Sequence, residues 1–269
     1  MPAAPNTLSG NATAAILIIG DEILSGRTTD TNVNTIAKFL ASLGVDLLEV
    51  RMVHDQEAQI VDAVNTLRHR HDYVFTTGGI GPTHDDITAD CMARAFNVQI
   101  SEHPAALKLL ADRALKMGWE LNANSRRMAR IPYGADLISN PVSAAPGFQI
   151  GNVFVLAGVP KIMTAMLEDV APRLRAGHRV LSRTLRLAYV GESWAADILR
   201  DIDNRYPDLA LGSYPYGMLP GEFGTHLVVR GQDQKSLDSA MNELIRALEP
   251  VVQESRARNP QANFEEISG

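Results

Sequence analysis

Residues 14–19 form an unbroken apolar run, Ala14-Ala15-Ile16-Leu17-Ile18-Ile19. A run without alternation predicts a strand buried on both faces, as in a parallel sheet. Residues 31–43 then place Val33, Ile36, Ala37 and Leu40 at helical spacing, and Gly44 is a good helix stop. A second strand is expected over 45–53. It is followed by a helix opening at His54-Asp55 with Ile60, Val61, Val64 and Leu67 on its core side. Tyr73-Val74-Phe75 reads as a short buried strand and 89–96 as a helix. A longer helix, capped by Ser101, runs to about Met117 and ends at Gly118-Trp119. Residues 131–135 read as a turn and 136–139 as a strand. The runs 148–150 and 153–156 read as a hairpin around Gly151-Asn152. A helix with Pro160 in its first turn extends to about Arg175. Strand and helix in alternation predict a three-layer α/β/α domain with a mostly parallel sheet.

The pattern changes at Ala176-Gly177-His178. Beyond it, strands are expected over 180–190, 209–216 and 225–230, and helices over 193–206 and 237–252. Leu185, Leu187 and Tyr189 alternate as in a half-buried strand. The expected division is a disordered lead-in over 1–13, an α/β domain over 14–176, a small α+β domain over 177–256, and a polar, frayed tail over 257–269.

Candidate chemistry concentrates at the ends of the first three strands. The stretch Thr76-Thr77-Gly78-Gly79-Ile80-Gly81-Pro82-Thr83-His84-Asp85-Asp86-Ile87-Thr88 joins the third strand to its helix. Glycine admits positive φ and lets a ligand approach the main chain. Free amides beside a helix N-terminus suit an anion, most often a phosphate. Asp85 and Asp86 repel each other and such a ligand unless a hard cation lies between them, for which Mg²⁺ is the natural choice. A bare helix cap by Asp86 or Thr88 would need far fewer of these residues. Gly20-Asp21-Glu22-Ile23-Leu24-Ser25-Gly26 ends the first strand and His54-Asp55 the second. Ligands of open α/β sheets bind at such ends. Asn32 is either a capping residue or a ligand-contacting amide, and Asp55 either a cap or a site carboxylate. Arg126, Arg127 and Arg130 form either a solvated helix face or a contact for a phosphate tail. Trp119 is expected to pack rather than to stack on a ligand.

Composition narrows the field. With 45% hydrophobic and 21% charged residues among 269, the chain is ordinary globular protein, enough for one large or two modest domains. A net charge of −6 argues against an extended nucleic-acid footprint. Cys91 is the one cysteine and reads as a buried core thiol, so no disulfide framework is expected. No apolar run approaches the roughly 20 residues that span a bilayer, and the N-terminal residues lack the pattern of a signal peptide. A soluble cytoplasmic protein with no membrane or nucleic-acid partner is expected.

The Gly-Gly-x-Gly-Pro-Thr-x-Asp-Asp-x-Thr stretch resembles the signature of the molybdopterin-binding (MoCF) domain, in the version carried by the competence/damage-inducible protein A (CinA) family. Gly20-Asp21-Glu22-Ile23-Leu24-Ser25-Gly26 with Asp30-Thr31-Asn32 resembles that family's opening motif. The loop 140–147 and the turn 157–162 resemble two others, with departures: Ser143-Ala144 replaces Gly-Thr, Ala157 replaces a proline and Ile162 a glutamate. The second domain, including Gly191-Glu192-Ser193, resembles the family's KH-like domain. Its Gly221-Glu222-Phe223-Gly224 is expected to be a turn, not a nucleic-acid clamp. Full-length members continue into an amidohydrolase domain, and this chain stops before it. The resemblance implies a pterin or adenine-nucleotide ligand, hydrolysis of a pyrophosphate of the ADP-ribose kind, and a homo-oligomer. It implies Asp55 and Asp86 as catalytic, and Asp85 and Asp86 as ligands of Mg²⁺ or another divalent cation. Gly20, Asp21, Glu22, Gly26, Asn32, Thr77, Gly78, Gly79, Gly81, Pro82, Thr83 and Thr88 are the expected substrate-binding residues. The alternative is a non-enzymatic module that binds molybdopterin or a nucleotide.

Overall fold

The computed structural model describes residues 10–217 and 221–267. It divides into two compact units, Met1–His178 and Arg179–Gly269.

The first unit runs β1 (Ala12–Ile19), α1 (Asp21–Leu24), α2 (Asn32–Ser42), β2 (Val45–Val53), α3 (Glu57–Arg70), β3 (Tyr73–Thr77), α4 (Thr88–Phe96), β4 (Ile100–Glu102), α5 (Pro104–Met117), α6 (Ala123–Arg127), β5 (Arg130–Pro132), β6 (Asp136–Ile138), β7 (Gly147–Ile150), β8 (Val153–Leu156) and α7 (Pro160–Val170). Its main sheet has the order β2-β1-β3-β8-β7-β6. Strands β2, β1, β3 and β8 are parallel, and β7 and β6 add on antiparallel. The apolar run of β1 is buried at every position, and its alternate residues feed two cores. Ala15, Leu17 and Ile19 join residues of α3, α4 and α5 on one face. Ala14, Ile16 and Ile18 join α2 and α7 on the other. That division is the three-layer arrangement that the sequence pattern requires.

The second unit runs β9 (Leu181–Ala188), α8 (Glu192–Arg205), β10 (Ala210–Gly217), β11 (Phe223–Gly231), α9 (Gln234–Arg258) and β12 (Asn263–Ile267). Its antiparallel sheet has the order β10-β11-β9-β12. Leu185, Leu187, Leu227 and Val229 meet Leu237, Met241, Leu244 and Leu248 of α9 in a third core.

Several expectations need correction. Residues 257–269 are not a frayed tail over their described length. Residues 263–267 pair with β9 as β12, and Arg183 bonds Glu266. The lead-in assigned to 1–13 gives way to strand at Ala12, while its first nine residues lie outside the described set. Ser101 caps nothing: it sits in β4, and α5 begins at Pro104. Trp119 is 63% exposed and belongs to none of the buried cores. Residues 131–132 belong to β5, so the turn is shorter than expected. Phe223 and Gly224 open β11 instead of completing a turn.

Candidate functional site

The chain leaves β1, builds β2 on one side of it, and returns to place β3 on the other side. The order reverses between β1 and β3, and that reversal opens a crevice at the strands' C-terminal ends, where open α/β sheets take their ligands. Both motif loops start there: residues 20–26 after β1 and 78–87 after β3.

On the β1 and β2 side, two loops clasp one another. The Gly20 amide donates to Val53 O, 3.3 Å away. The Asp21 amide donates to Asp55 Oδ2 at 2.9 Å, and the Asp55 amide to Asp21 Oδ1 at 3.4 Å. His54 Nδ1 lies 2.8 Å from the same Asp21 oxygen. Asp55 therefore caps no helix, for the N-cap of α3 is Gln56. Its carboxyl is pushed above the ordinary carboxylate value. Burial is the main cause; the Asp21 amide opposes it, and the charges of Asp21, Glu22 and Asp85 add to it. The charge of Asp85 on the glycine loop is thus among those that act on Asp55. Glu22 folds back over Gly20, where an added Cβ would lie 2.7 Å from its carboxylate.

The glycine loop after β3 is tied down from behind. Gly78 adopts φ +102 and Gly79 φ +67. A Cβ on Gly78 would strike Ile19 O, and one on Gly79 would strike Thr88 Oγ1, so neither position tolerates a side chain. The Thr88 amide donates to Gly79 O at 3.0 Å and its hydroxyl to Gly78 O at 3.0 Å. Thr88 and Thr77 are buried. The two bonds of Thr88 hold the loop from behind. Asp86 Oδ2 accepts from the Thr83 amide at 2.8 Å and from its hydroxyl at 2.5 Å, closing the loop tip. Neither Asp86 nor Thr88 is the N-cap of α4; Ile87 takes that position, without a side-chain cap bond. Pro82, Thr83 and Asp85 are exposed at the tip. Among the described residues, the amides of Gly79, Ile80 and Gly81 have no protein acceptor.

Asn32 is not the capping residue that one sequence reading offered. It is 4% exposed, and its Nδ2 donates to Gly158 O at 2.8 Å. It caps no bond, since Asp30 Oδ1 accepts the Val33 amide instead. Its Oδ1 is buried without a partner. Gly158 stands against Gly78, where an added Cβ would be 3.2 Å from Gly78 Cα. Asn32 thereby connects the loop after β8 to the glycine loop. Gly158 was missed because a carbonyl in an Ala-Gly-Val-Pro turn carries no chemical signal of its own. Gly26 ends the turn after α1 at φ +71, and an added Cβ there would meet nothing within 4 Å.

Ile162 lies on α7 and packs against the core on that side. Ala144 takes φ +64 in the 140–147 loop, a left-handed position that glycine fills at lower cost. Among the described residues, no three His, Cys, Asp or Glu side chains are gathered to hold a metal by themselves. Cys91 is buried as expected, and burial pushes its thiol up to about 12.

Fold and crevice define a doubly wound α/β domain of the molybdopterin-binding type, joined in one chain to a small α+β domain. Residues 15–176 match the family described as "Probable molybdopterin binding domain", and the chain belongs to that family. Residues 179–256 match "FAD synthase, middle domain", a description other than the KH-like one. A protein of Sulfurisphaera tokodaii is 34% identical over 212 residues, 76% of this chain and 80% of that one. A CinA-like protein of Geobacter metallireducens is 34% identical over 242 residues, 85% of this chain. This chain spans 57% of that relative's length. Among solved structures, the CinA protein of Thermoplasma acidophilum, described as of unknown function, aligns with TM-score 0.56 and 33% identity, over 61% of this chain and 99% of its own. No helix among the described residues is long and apolar enough to cross a membrane.

Proposed function

We propose that the first unit hydrolyses a nucleotide pyrophosphate of the ADP-ribose kind with the help of a divalent cation. The observation that supports this most directly is the crevice itself. Acceptor-free amides of Gly79, Ile80 and Gly81 stand on the loop that also carries Asp85, and the field of Asp85 meets those of Asp21, Glu22 and Asp55. Donors for phosphate oxygens and an excess of negative charge share one rim. Such a pairing suits a phosphorylated ligand with a cation between.

The residues fit Mg²⁺ in a specific sense. This ion is commonly held by one or two carboxylates together with the substrate's phosphates, not by a complete protein cage. Asp85 and Asp86 would hold it, Asp86 with the oxygen that Thr83 does not occupy. The ion would neutralise charge on the phosphates. The glycine amides orient the phosphates, and Asn32 keeps the Gly158 turn against them. Asp55, with its raised proton affinity, is suited to take a proton from water in the crevice. FAD contains the same type of pyrophosphate, so the likeness of the second unit to a FAD synthase domain favours a dinucleotide and puts FAD beside ADP-ribose as a substrate to try.

A second reading, a molybdopterin- or nucleotide-binding module without turnover, is favoured by Ile162. Where the CinA motif carries a glutamate, this chain packs a partly buried apolar side chain against its core. The deciding measurement is turnover of ADP-ribose and FAD with Mg²⁺ and with chelator. Asp86→Asn keeps an acceptor for Thr83 and removes one charge. It should lower turnover by roughly 10²-fold, the scale of losing one electrostatic stabiliser. Asp55→Asn should act alike, and the double variant should lose less than both losses combined, because the residues act as a unit. Activity that survives chelation, or an Asp86→Asn enzyme as fast as the parent, would remove the cation-dependent mechanism, and a parent chain that binds these compounds without turning them over would leave the binding module as the better reading.

A further inference from the structure

Arg126, Arg127 and Arg130 follow one another around the end of α6 and the start of β5, yet their surroundings differ. Arg126 turns outward to Glu102, with Nε 3.0 Å from the carboxylate. Arg130 is paired with Asp90, and its Nε is buried without an acceptor. Arg127 has no carboxylate partner among the described residues. Its Nη2 makes one long bond, 3.4 Å, to the main-chain oxygen of Asp86, and its Nε is buried without an acceptor.

Arg127 and Arg130 line a cleft together with Gly79, Ile80 and Gly81. The amides of those three residues also lack acceptors among the described residues. Residues that carry acceptor-free amides and unpaired guanidinium Nε groups thus line one cleft, and the two carboxylates that line it with them each accept a bond from the protein. Asp90 serves Arg130, and Asp86 gives an oxygen to Thr83. A space with many donors and few free acceptors is complementary to an anion with several oxygens. The enclosed part of the cleft is about 20 Å³, room for a water and not for a phosphoryl group. The anion therefore belongs at its mouth, where Arg127 reaches it by giving up its long bond to Asp86.

We infer that Arg127 is a phosphate-binding residue of this site, which meets a phosphoryl group of the ligand together with the Gly79–Gly81 amides, while Arg130, held by Asp90, backs the cleft. This rests on the proposed reading of the crevice and adds to it the side of the glycine loop on which the anion lies. It also separates three neighbouring arginines that the sequence presents as equivalents.

Calorimetric titration of the full chain with inorganic pyrophosphate and with ADP-ribose, in the presence of Mg²⁺, tests it. Arg127→Gln should weaken both ligands by roughly tenfold or more, as expected for losing a charge-assisted contact. Arg127→Lys should fall between, because an ammonium keeps the charge but not the planar fork. Arg126→Gln should stay within about twofold of the parent, since its partner is Glu102. Circular dichroism checks that each variant folds. If Arg127→Gln folds and binds both ligands as tightly as the parent, the assignment of Arg127 is wrong while the crevice reading stands. If the parent chain binds neither ligand, both fall. Should Arg127→Gln fail to fold, Arg127→Lys decides, and parental affinity for pyrophosphate in that variant counts against the inference.

Discussion

Gly79 shows how much one residue carries at the smallest scale. Its φ of +67 and the Thr88 hydroxyl beside its α-carbon leave no room for a side chain. Gly79→Val should cost roughly 1–2 kcal/mol in folding from the left-handed backbone alone. It should also weaken nucleotide affinity tenfold or more by displacing the loop amides. Urea denaturation and calorimetry on the same sample read the two effects. Unchanged affinity in a folded variant would remove the loop from the binding site. Asp55 works in the opposite sense. Its carboxyl holds its proton more tightly in the folded chain, through burial and then through Asp21, Glu22 and Asp85. Stability should therefore fall as pH rises from the ordinary carboxylate value through the raised one, and level off above it. Asp55→Asn cannot ionise but still accepts the Asp21 amide. It should lose that part of the slope and be more stable than the parent near neutral pH, even as turnover drops. A variant less stable than the parent at neutral pH would argue that Asp55 is held for structure.

Elements succeed or fail here by what they are laid against. Strand β12 has the composition of a tail, yet Phe264 packs on the third core and Ala262 is buried just before it. The strand pairs with β9 along residues 263–267. Arg183 joins the two strands through Glu266 and reaches Asp238 on α9 at 2.8 Å. Phe264→Ala should destabilise the second unit by about 1–2 kcal/mol, less than the roughly 3–5 kcal/mol of a fully buried phenylalanine, because its ring is only partly covered. A melting curve indistinguishable from the parent's would mean that β12 contributes nothing to stability.

For the whole molecule, charge is the guide. A chain of net charge −6 offers little to a polyanion. Glu222, between Gly221 and Gly224, is ion-paired with Arg186. Filter binding of the full chain to single-stranded RNA at moderate salt should give no saturable complex. Tight binding that weakens steeply with salt would overturn this. A single nucleotide is a different matter, since one phosphate cleft needs only a few local donors, and the acidic surface elsewhere does not prevent it.

The periodicity of β1, α2, α3 and β3 was legible in the sequence because each element's apolar pattern records burial that its own residues undergo. The hairpin of β7 and β8 was legible through Gly151-Asn152. The glycine loop was legible because positive φ and close packing restrict residue type at the positions themselves. What the sequence could not contain is proximity. That the charge of Asp85 acts on Asp55, that Asn32 holds Gly158 instead of capping a helix, and that Arg127 meets the glycine loop while Arg126 turns to Glu102 all depend on segments far apart in the chain. Ser101 and β12 failed for the same reason: a short polar stretch becomes strand only when a partner edge is there to take its hydrogen bonds. The sequence thus determined which residues could serve at the crevice, and the order β2-β1-β3-β8 decided which of them stand together, because the reversal at β1 puts the ends of neighbouring strands on one rim.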